Sequence, residues 1–398
     1  ITEFMIKICV IGLGYVGLPI LVNLSKKFNC IGYDINSKRV KELSNGNDVF
    51  KEFTNKELEN KKIFFKNSKK KIKKCNIFIV AVPTPIYENK KPNLVYLKNV
   101  CDMLSTILKI NDIIIFESTV YPSVTNKICI PILEKKSKLT EGVDFFVGYS
   151  PERVNPGDNK HHLKKINKIL AYPHKYLKKS LIKIYSLISK KIIFTKNINE
   201  AETAKVIENI QRDVNIGLIN EIYLVCKKLN INFDNVIKLA STKWNFLKFK
   251  PGLVGGHCLP VDPYYFSYIS KKNKLNTKIT LAGRFINDSM SDIVFKDIIA
   301  EIKKLDPQQK KNILICGLSY KANVADLRNS LSLEIFNKLK KSNKKIFGYD
   351  PLIDINQAKK MNLIISSKEI YKFDIFIVLT KHKVFNKTLK NKKIYHPI

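Results

Sequence analysis

Ile6-Lys-Ile-Cys-Val-Ile-Gly12-Leu-Gly14-Tyr15-Val16-Gly17 decides the fold of this chain. The run from Ile6 to Ile11 has strand length, and it leads straight into a GxGxxG turn. A helix-like stretch follows, then a second short strand, Cys30 to Tyr33, that ends at Asp34. This is a complete βαβ unit of the dinucleotide-binding kind. Gly12 permits the tight turn, Gly14 admits a pyrophosphate close to the backbone, and Gly17 lets helix and strand pack. The helix N-terminus, with Tyr15 and Val16 in the turn, offers N–H donors to phosphate. Asp34, 20 residues past Gly14, is placed to hold a ribose diol. The expected cofactor is therefore NAD. An anionic Asp34 disfavours a 2′-phosphate, while nearby Lys38 and Arg39 keep NADP open.

Working outward, 398 residues with 45% apolar content allow two or three domains with real cores. No apolar run is long enough for a membrane span. Ile1-Thr2-Glu3-Phe4 precedes Met5, which reads as the start, and no signal peptide is recognisable, so a cytoplasmic location is expected. The net charge of +37 invites a nucleic-acid reading, but lysines are scattered over every segment and no nucleic-acid-reading motif accompanies them. Neither nucleic acid nor membrane is expected as a partner. Eight cysteines without CxxC pairs support neither a zinc site nor a disulfide framework. Only five of the basic residues are arginines, at 39, 153, 212, 284 and 328. Each should mark a place where a planar fork is needed, as for phosphate or carboxylate.

The chain also repeats itself. Ile8-Cys-Val-Ile-Gly12 returns as Ile313-Leu-Ile-Cys-Gly317, Ile31-Gly-Tyr-Asp34 as Phe347-Gly-Tyr-Asp350, and Ile77-Phe-Ile-Val80 as Ile375-Phe-Ile-Val378. The second copy lacks a full GxGxxG and should bind a different nucleotide. Asn199 to Leu229 carries apolar residues at helical spacing without a proline, which predicts a long helix suited to dimer contact. Lys160 to Lys196 reads as helix then strand. The expected fold class is α/β: an N-terminal NAD-binding Rossmann domain (1–198), a central long-helix dimerisation domain with the cysteine loop (199–297) and a C-terminal UDP-binding Rossmann-like domain (298–398).

Phe249 to Tyr265 sets Cys258 behind Gly255-Gly256-His257 and four residues ahead of Asp262. Paired glycines leave room for a substrate against the main chain, so Cys258 is a candidate nucleophile. Beside an oxidant, a thiol suggests oxidation through a thioester. His257 reads as a turn residue, and Trp244, between Lys243 and Asn245, as a contact for substrate or partner subunit.

Seven motifs occur in the order seen in the nucleotide-sugar dehydrogenases: Gly12 to Pro19, Val82-Pro83-Thr84-Pro85, Glu117-Ser-Thr119, Ser150-Pro-Glu152-Arg153, Glu202-Thr-Ala-Lys205 with Asn209, Gly255 to Cys258 and Gly317 to Lys321. The chain resembles that family over essentially its whole length. Trp244 to Leu247, His257 and Arg153 look most like its UDP-N-acetylglucosamine and UDP-N-acetylgalactosamine members of the Vi-antigen type. UDP-glucose dehydrogenases more often carry Ser and Phe at the last two positions.

The resemblance implies that Cys258 attacks a C6 aldehyde and carries a thiohemiacetal, then a thioester. Lys205 and Asn209, four apart on one helix face, would stabilise the oxygen that becomes anionic, with Arg212 on the same face. Asp262 would act as base or water-orienting group, and Thr119 and Glu152 would place the hydrolytic water. Pro83, Thr84, Thr119, Arg39 and Arg328 would meet the cofactor. Arg153, Phe249, Gly252, Gly255, Tyr264 and Lys321 would line the sugar nucleotide, and Arg284 would reach into a partner's site in a homodimer. The runner-up substrate is UDP-glucose. A binding-only chain or a basic scaffold protein are rivals that the joint presence of Cys258, Lys205 and Asp262 disfavours.

Overall fold

The computed structural model describes residues 6–49, 53–153, 163–343, 345–390, 392 and 394–398. Ile1 to Met5 and the first residues of the Lys160–Lys196 segment lie outside them. The chain forms two compact units, Ile1–Glu208 with Tyr264–Asn273, and Asn209–Pro263 with Lys274–Ile398.

The first unit is built on eight strands: β1 (Ile8–Ile11), β2 (Cys30–Tyr33), β3 (Ile63–Lys66), β4 (Ile77–Val80), β5 (Ile113–Phe116), β6 (Phe146–Tyr149), β7 (Lys168–Ala171) and β8 (Ile192–Thr195). They lie in the order β3-β2-β1-β4-β5-β6-β7-β8, parallel throughout except for β6 against β7. In register, Ile8 pairs with Cys30 on one side and Ile77 on the other. β1, β4 and β5 are buried on both faces, which is why they read as continuous rather than alternating apolar runs. The connecting helices are α1 (Gly17–Ser25), α2 (Ser37–Ser44), α3 (Asn55–Leu58), α4 (Lys69–Ile72), α5 (Val95–Ser105), α6 (Ile130–Ser137) and α7 (Lys178–Tyr185). Lys160–Lys196 differs from expectation in one respect: the strand β7 precedes the helix, and only then does β8 follow. A strand of four residues that opens on a lysine gives little periodicity to read.

Two long helices carry the middle of the chain, α8 (Ile198–Lys228) and α11 (Lys278–Leu305), with α9 (Phe233–Ala240) and α10 (Asp262–Lys272) between them. α8 and α11 approach closely because both are glycine at the contact; a Cβ on Gly217 would sit 2.7 Å from the Gly283 carbonyl oxygen. The second unit continues as a parallel sheet of β9 (Ile313–Cys316), β10 (Ile346–Tyr349), β11 (Ile375–Val378) and β12 (Ile394–Tyr395), in the order β10-β9-β11-β12. α12 (Leu331–Ser342), α13 (Ile355–Lys360) and α14 (Phe385–Thr388) complete it. The sequence repeat is thus a structural one: β9 pairs with β10 and β11 as β1 pairs with β2 and β4.

Candidate active site

In the first unit the β1 turn has the geometry a dinucleotide needs. Gly12 takes φ of +91°, and a Cβ there would lie 2.6 Å from the Ala81 carbonyl oxygen. At Gly17 it would lie 1.8 Å from the Gly12 oxygen, whereas at Gly14 it would meet nothing within 4 Å. Gly14 therefore opens a face while Gly12 and Gly17 close the packing. No side chain caps the α1 N-terminus, and no acidic residue occupies its first turn, which leaves the positive end of the helix for phosphate. Asp34 is fixed at the end of β2 by two N–H donors, Leu13 to Oδ2 and Asn36 to Oδ1, each 2.9 Å. Arg39 turns inward: its Nε donates to the Leu13 carbonyl (3.1 Å) and its Nη2 pairs with Asp48 (2.9 Å), so it braces the turn from beneath. These residues fit NAD.

Along the carboxyl ends of the next strands, Thr84 Oγ1 donates to the Thr119 carbonyl (2.6 Å), and the Tyr265 hydroxyl donates to the Thr84 and Pro85 carbonyls. Pro83 beside them is exposed. Glu152 is buried and accepts from Lys168 Nζ (3.0 Å), which also reaches Glu117 (2.5 Å) and the Pro151 carbonyl (3.1 Å). Burial pushes the Glu117 carboxyl up to about 7, with Lys168 opposing and Glu152 adding to the rise. Burial alone would depress Lys168, but the two carboxylates outweigh it and hold its ammonium above the ordinary value. Arg153 forks onto Glu208 of α8 (2.6 and 3.2 Å) and touches the Asn167 carbonyl. Sequence reasoning missed Glu117 and Lys168 as site residues; the antiparallel β6–β7 pair brings them together.

On α8, Glu202 accepts the N–H groups of Ser123 (2.6 Å) and Thr125 (3.0 Å) and anchors that turn. One turn later Lys205 is only 7% exposed, and among the described residues no hydrogen bond or ion pair answers its ammonium. Asn209 follows and donates to Asp262 Oδ2 (2.5 Å), while Arg212 is exposed.

In the second unit Cys258 is exposed, whereas the other seven cysteines are buried. Its carbonyl accepts from Val261 (3.0 Å) and Asp262 (2.9 Å), so the segment closes as a helical turn into α10. The pair Gly255-Gly256 answers to neighbours from far along the chain. A Cβ on Gly255 would meet the Asn329 carbonyl at 2.6 Å, and one on Gly256, at φ +92°, the Tyr320 ring at 2.7 Å. The reason for the glycines that the structure shows is a protein one: Asn329 and Tyr320 lie against this backbone. His257 faces Tyr320 and sits 3.8 Å from Asp326; burial and Arg328 lower its basicity, and Asp326 works the other way.

The rest of the expected substrate set is placed as follows. Gly252 is pinned through both backbone groups by Asn220, which also bonds Asn287 (2.8 Å). Phe249, Tyr264 and Lys321 are half-buried, and Lys90 stands over the Tyr264 ring at 5.2 Å. Arg328 forks onto Asp326 (2.8 and 3.0 Å). Arg284 is wholly buried against Asp213 (2.5 Å), and among the described residues its Nη2 and Asp213 Oδ2 have no hydrogen-bond partner. Trp244 is 92% exposed.

Family models of the UDP-glucose/GDP-mannose dehydrogenases match three stretches: the NAD binding domain over residues 6–189, the central domain over 199–289 and the UDP binding domain over 314–397. This chain belongs to the UDP-glucose/GDP-mannose dehydrogenase family. Its cofactor is NAD. It is 43% identical over 358 residues to a UDP-N-acetyl-D-glucosamine 6-dehydrogenase of Salmonella typhi, covering 89% of this chain and 84% of that one. Against the UDP-N-acetyl-D-glucosamine 6-dehydrogenase of Pseudomonas aeruginosa it is 41% identical over 356 residues, at the same coverage. The solved UDP-D-ManNAc dehydrogenase of Pyrococcus horikoshii superposes with a TM-score of 0.86 at 29% identity, covering 98% of this chain and 95% of that one. No helix among the described residues is long and apolar enough to cross a membrane.

Proposed function

We propose that the chain oxidises the C6 hydroxyl of a UDP-N-acetylhexosamine, UDP-GlcNAc or UDP-GalNAc, to the uronic acid through a thioester on Cys258, as a cytoplasmic homodimer serving surface polysaccharide synthesis. The observation that carries it is the lone exposed cysteine, held on a glycine turn that leads directly into Asp262, itself hydrogen-bonded to Asn209. When bound at the Gly12 turn, NAD would supply hydride acceptance, once in each of two oxidations. Per sugar, one CH₂OH group, one water and two NAD⁺ give a carboxylate, two NADH and three protons.

The thiolate of Cys258 adds to the C6 aldehyde and keeps it from escaping as the thiohemiacetal, which becomes the thioester on loss of the second hydride. Lys205, a buried ammonium with no hydrogen-bond or ion-pair partner among the described residues, and Asn209 one turn on stabilise the developing oxyanion. Asp262 serves as base, and Glu152 with Thr119 orients the hydrolytic water; the water oxygen bonds to the acyl carbon as the C–S bond breaks. Lys321, Arg328 and Arg153 favour a diphosphate and its sugar. Exposed Leu218, Val225, Ile279 and Phe285 on α8 and α11 supply apolar surface for a second copy. The Salmonella and Pseudomonas relatives favour a gluco-configured acetamido sugar, and the Pyrococcus structure keeps the manno epimer as the competing reading. NADH release is the test, with UDP-GlcNAc, UDP-GalNAc, UDP-ManNAc and UDP-glucose offered in parallel. Fastest turnover is expected on UDP-GlcNAc or UDP-GalNAc, and a clear preference for UDP-glucose or UDP-ManNAc would sink the assignment.

A further inference from the structure

The buried ammonium of Lys168 is more than a structural ion pair by its placement. The antiparallel register joins Tyr149 to Ala171; counting three residues outward along both strands sets Glu152 opposite Lys168, beyond the end of β6. Glu117 enters from the end of β5, and the Tyr185 hydroxyl from α7 donates to its other oxygen (2.8 Å). All three donor directions of the ammonium are used, on Glu117, Glu152 and the Pro151 carbonyl. Two carboxylates and one ammonium leave one buried negative charge when everything is ionised, which interiors tolerate poorly. One proton on either carboxylate brings the trio to neutrality.

We propose that Lys168 is a positioning residue which holds Glu152 ionised and aimed as the base for the hydrolytic water, while Glu117 sets how much of the lysine's charge Glu152 receives. This rests on the assignment of Glu152 made above. As the water attacks the thioester, its proton passes to Glu152, the C–S bond breaks, and Cys258 leaves as thiolate. Lys168 then stays matched, because Glu117 still carries its charge. Near-neutral titration of Glu117 suits it to this sharing. Among the described residues the neighbouring charge is the Arg153 guanidinium, already forked onto Glu208, while the Arg153 N–H donates to Glu152 Oε1 (2.7 Å).

The two other members of the trio act on Glu152 with opposite sign, which gives the test its edge. The pH profile of kcat is measured for the full-length enzyme and its variants with UDP-GlcNAc and NAD, together with the mass of enzyme quenched during turnover. Lys168→Met removes a cation beside Glu152, so the acid limb moves up by about one pH unit and the acyl adduct on Cys258 accumulates. Lys168→Arg restores the limb in part. Glu117→Gln removes a competing anion, so the limb moves the other way by a similar amount, with KM for the sugar nucleotide unchanged. Should Lys168→Met fail to fold, the isosteric Glu117→Gln alone decides. Unshifted limbs, or shifts of one sign in both variants, overturn the role of Lys168 while wild-type turnover leaves the assigned function intact. Absence of wild-type turnover on every UDP-sugar overturns that function and this inference with it.

Discussion

The turns after β1 and after β9 are built to one plan and put to different uses. In each, the glycine N–H donates to the tyrosine carbonyl of the neighbouring strand, Gly12 to Tyr33 at 2.8 Å and Gly317 to Tyr349 at 2.9 Å. In each, the next residue's N–H donates to an aspartate, Leu13 to Asp34 and Leu318 to Asp350. After the first glycine the helix starts at Gly17; after the second it waits until Leu331. The extra chain is folded onto the aspartate. Ser319 donates through N–H and hydroxyl, and His382 Nε2 donates at 3.1 Å, its tautomer fixed because Asn323 N–H donates to Nδ1. Asp34 keeps acceptor capacity for a ribose, whereas Asp350 is buried and consumed by its own protein. A shared frame thus fixes the fold, and the residues that follow the glycine decide whether the aspartate is left to a ligand or taken up by the chain's own donors.

The sharpest way to break this equivalence is at the two glycines. Gly317→Ala puts a Cβ 2.1 Å from the Thr380 carbonyl oxygen at φ +77°, so a loss of about 3 kcal/mol or more is expected, read as a fall in urea midpoint. Gly12→Ala should cost stability comparably and abolish NAD binding as well. Next come the aspartates. Asp350→Asn should lose about 2 kcal/mol with KM for NAD unchanged, and Asp34→Asn should raise KM for NAD roughly tenfold with stability little altered; equal effects on both properties at both sites would end the comparison.

The pH dependence of stability separates the sites further. Burial pushes the Asp350 carboxyl up, but hydrogen bonds from His382, Leu352 and Ser319 overcome this and hold it below its ordinary value. Its contribution is therefore full above about pH 4 and fades as pH falls through the lowered pKa, so Asp350→Asn should flatten the acid arm of Tm against pH. Glu117 has the opposite sign: its folded pKa is raised, so it costs stability as pH rises from about 4.5 toward 7. Glu117→Gln should gain Tm relative to wild type at pH 8 and not at pH 4. The smallest effect is expected for Arg39→Lys, which loses the fork that joins the Leu13 carbonyl to Asp48 under the Gly12 turn and should raise KM for NAD about threefold.

Much of this was legible in the residues. β1, its turn and Asp34 announce themselves because a buried parallel strand followed by spaced glycines has few other uses, and the uninterrupted period of α8 placed it within a residue at each end. The Gly255-Gly256 pair was visible, but its steric cause was not, since Tyr320 comes 64 residues after Gly256 and Asn329 comes 74 after Gly255. Lys168 was hidden by composition. Among 71 basic residues, nothing local marks the one that is buried between two carboxylates; only the antiparallel turn of one strand does. Arg39 read as a cofactor contact by its position, and the structure adds its role under the turn.

The central claim is that one thiol carries the substrate through both oxidations. The most direct measurement is the count of NADH released per UDP-GlcNAc consumed, for wild type and for Cys258→Ser, with cofactor and sugar-nucleotide binding followed by calorimetry. Wild type should give two NADH and a 6-carboxylate, while the serine variant binds both ligands, loses turnover by several orders of magnitude and stalls after one hydride. Two NADH per sugar at near-normal rate from the serine variant would contradict the account and leave oxidation of a free aldehyde hydrate in its place.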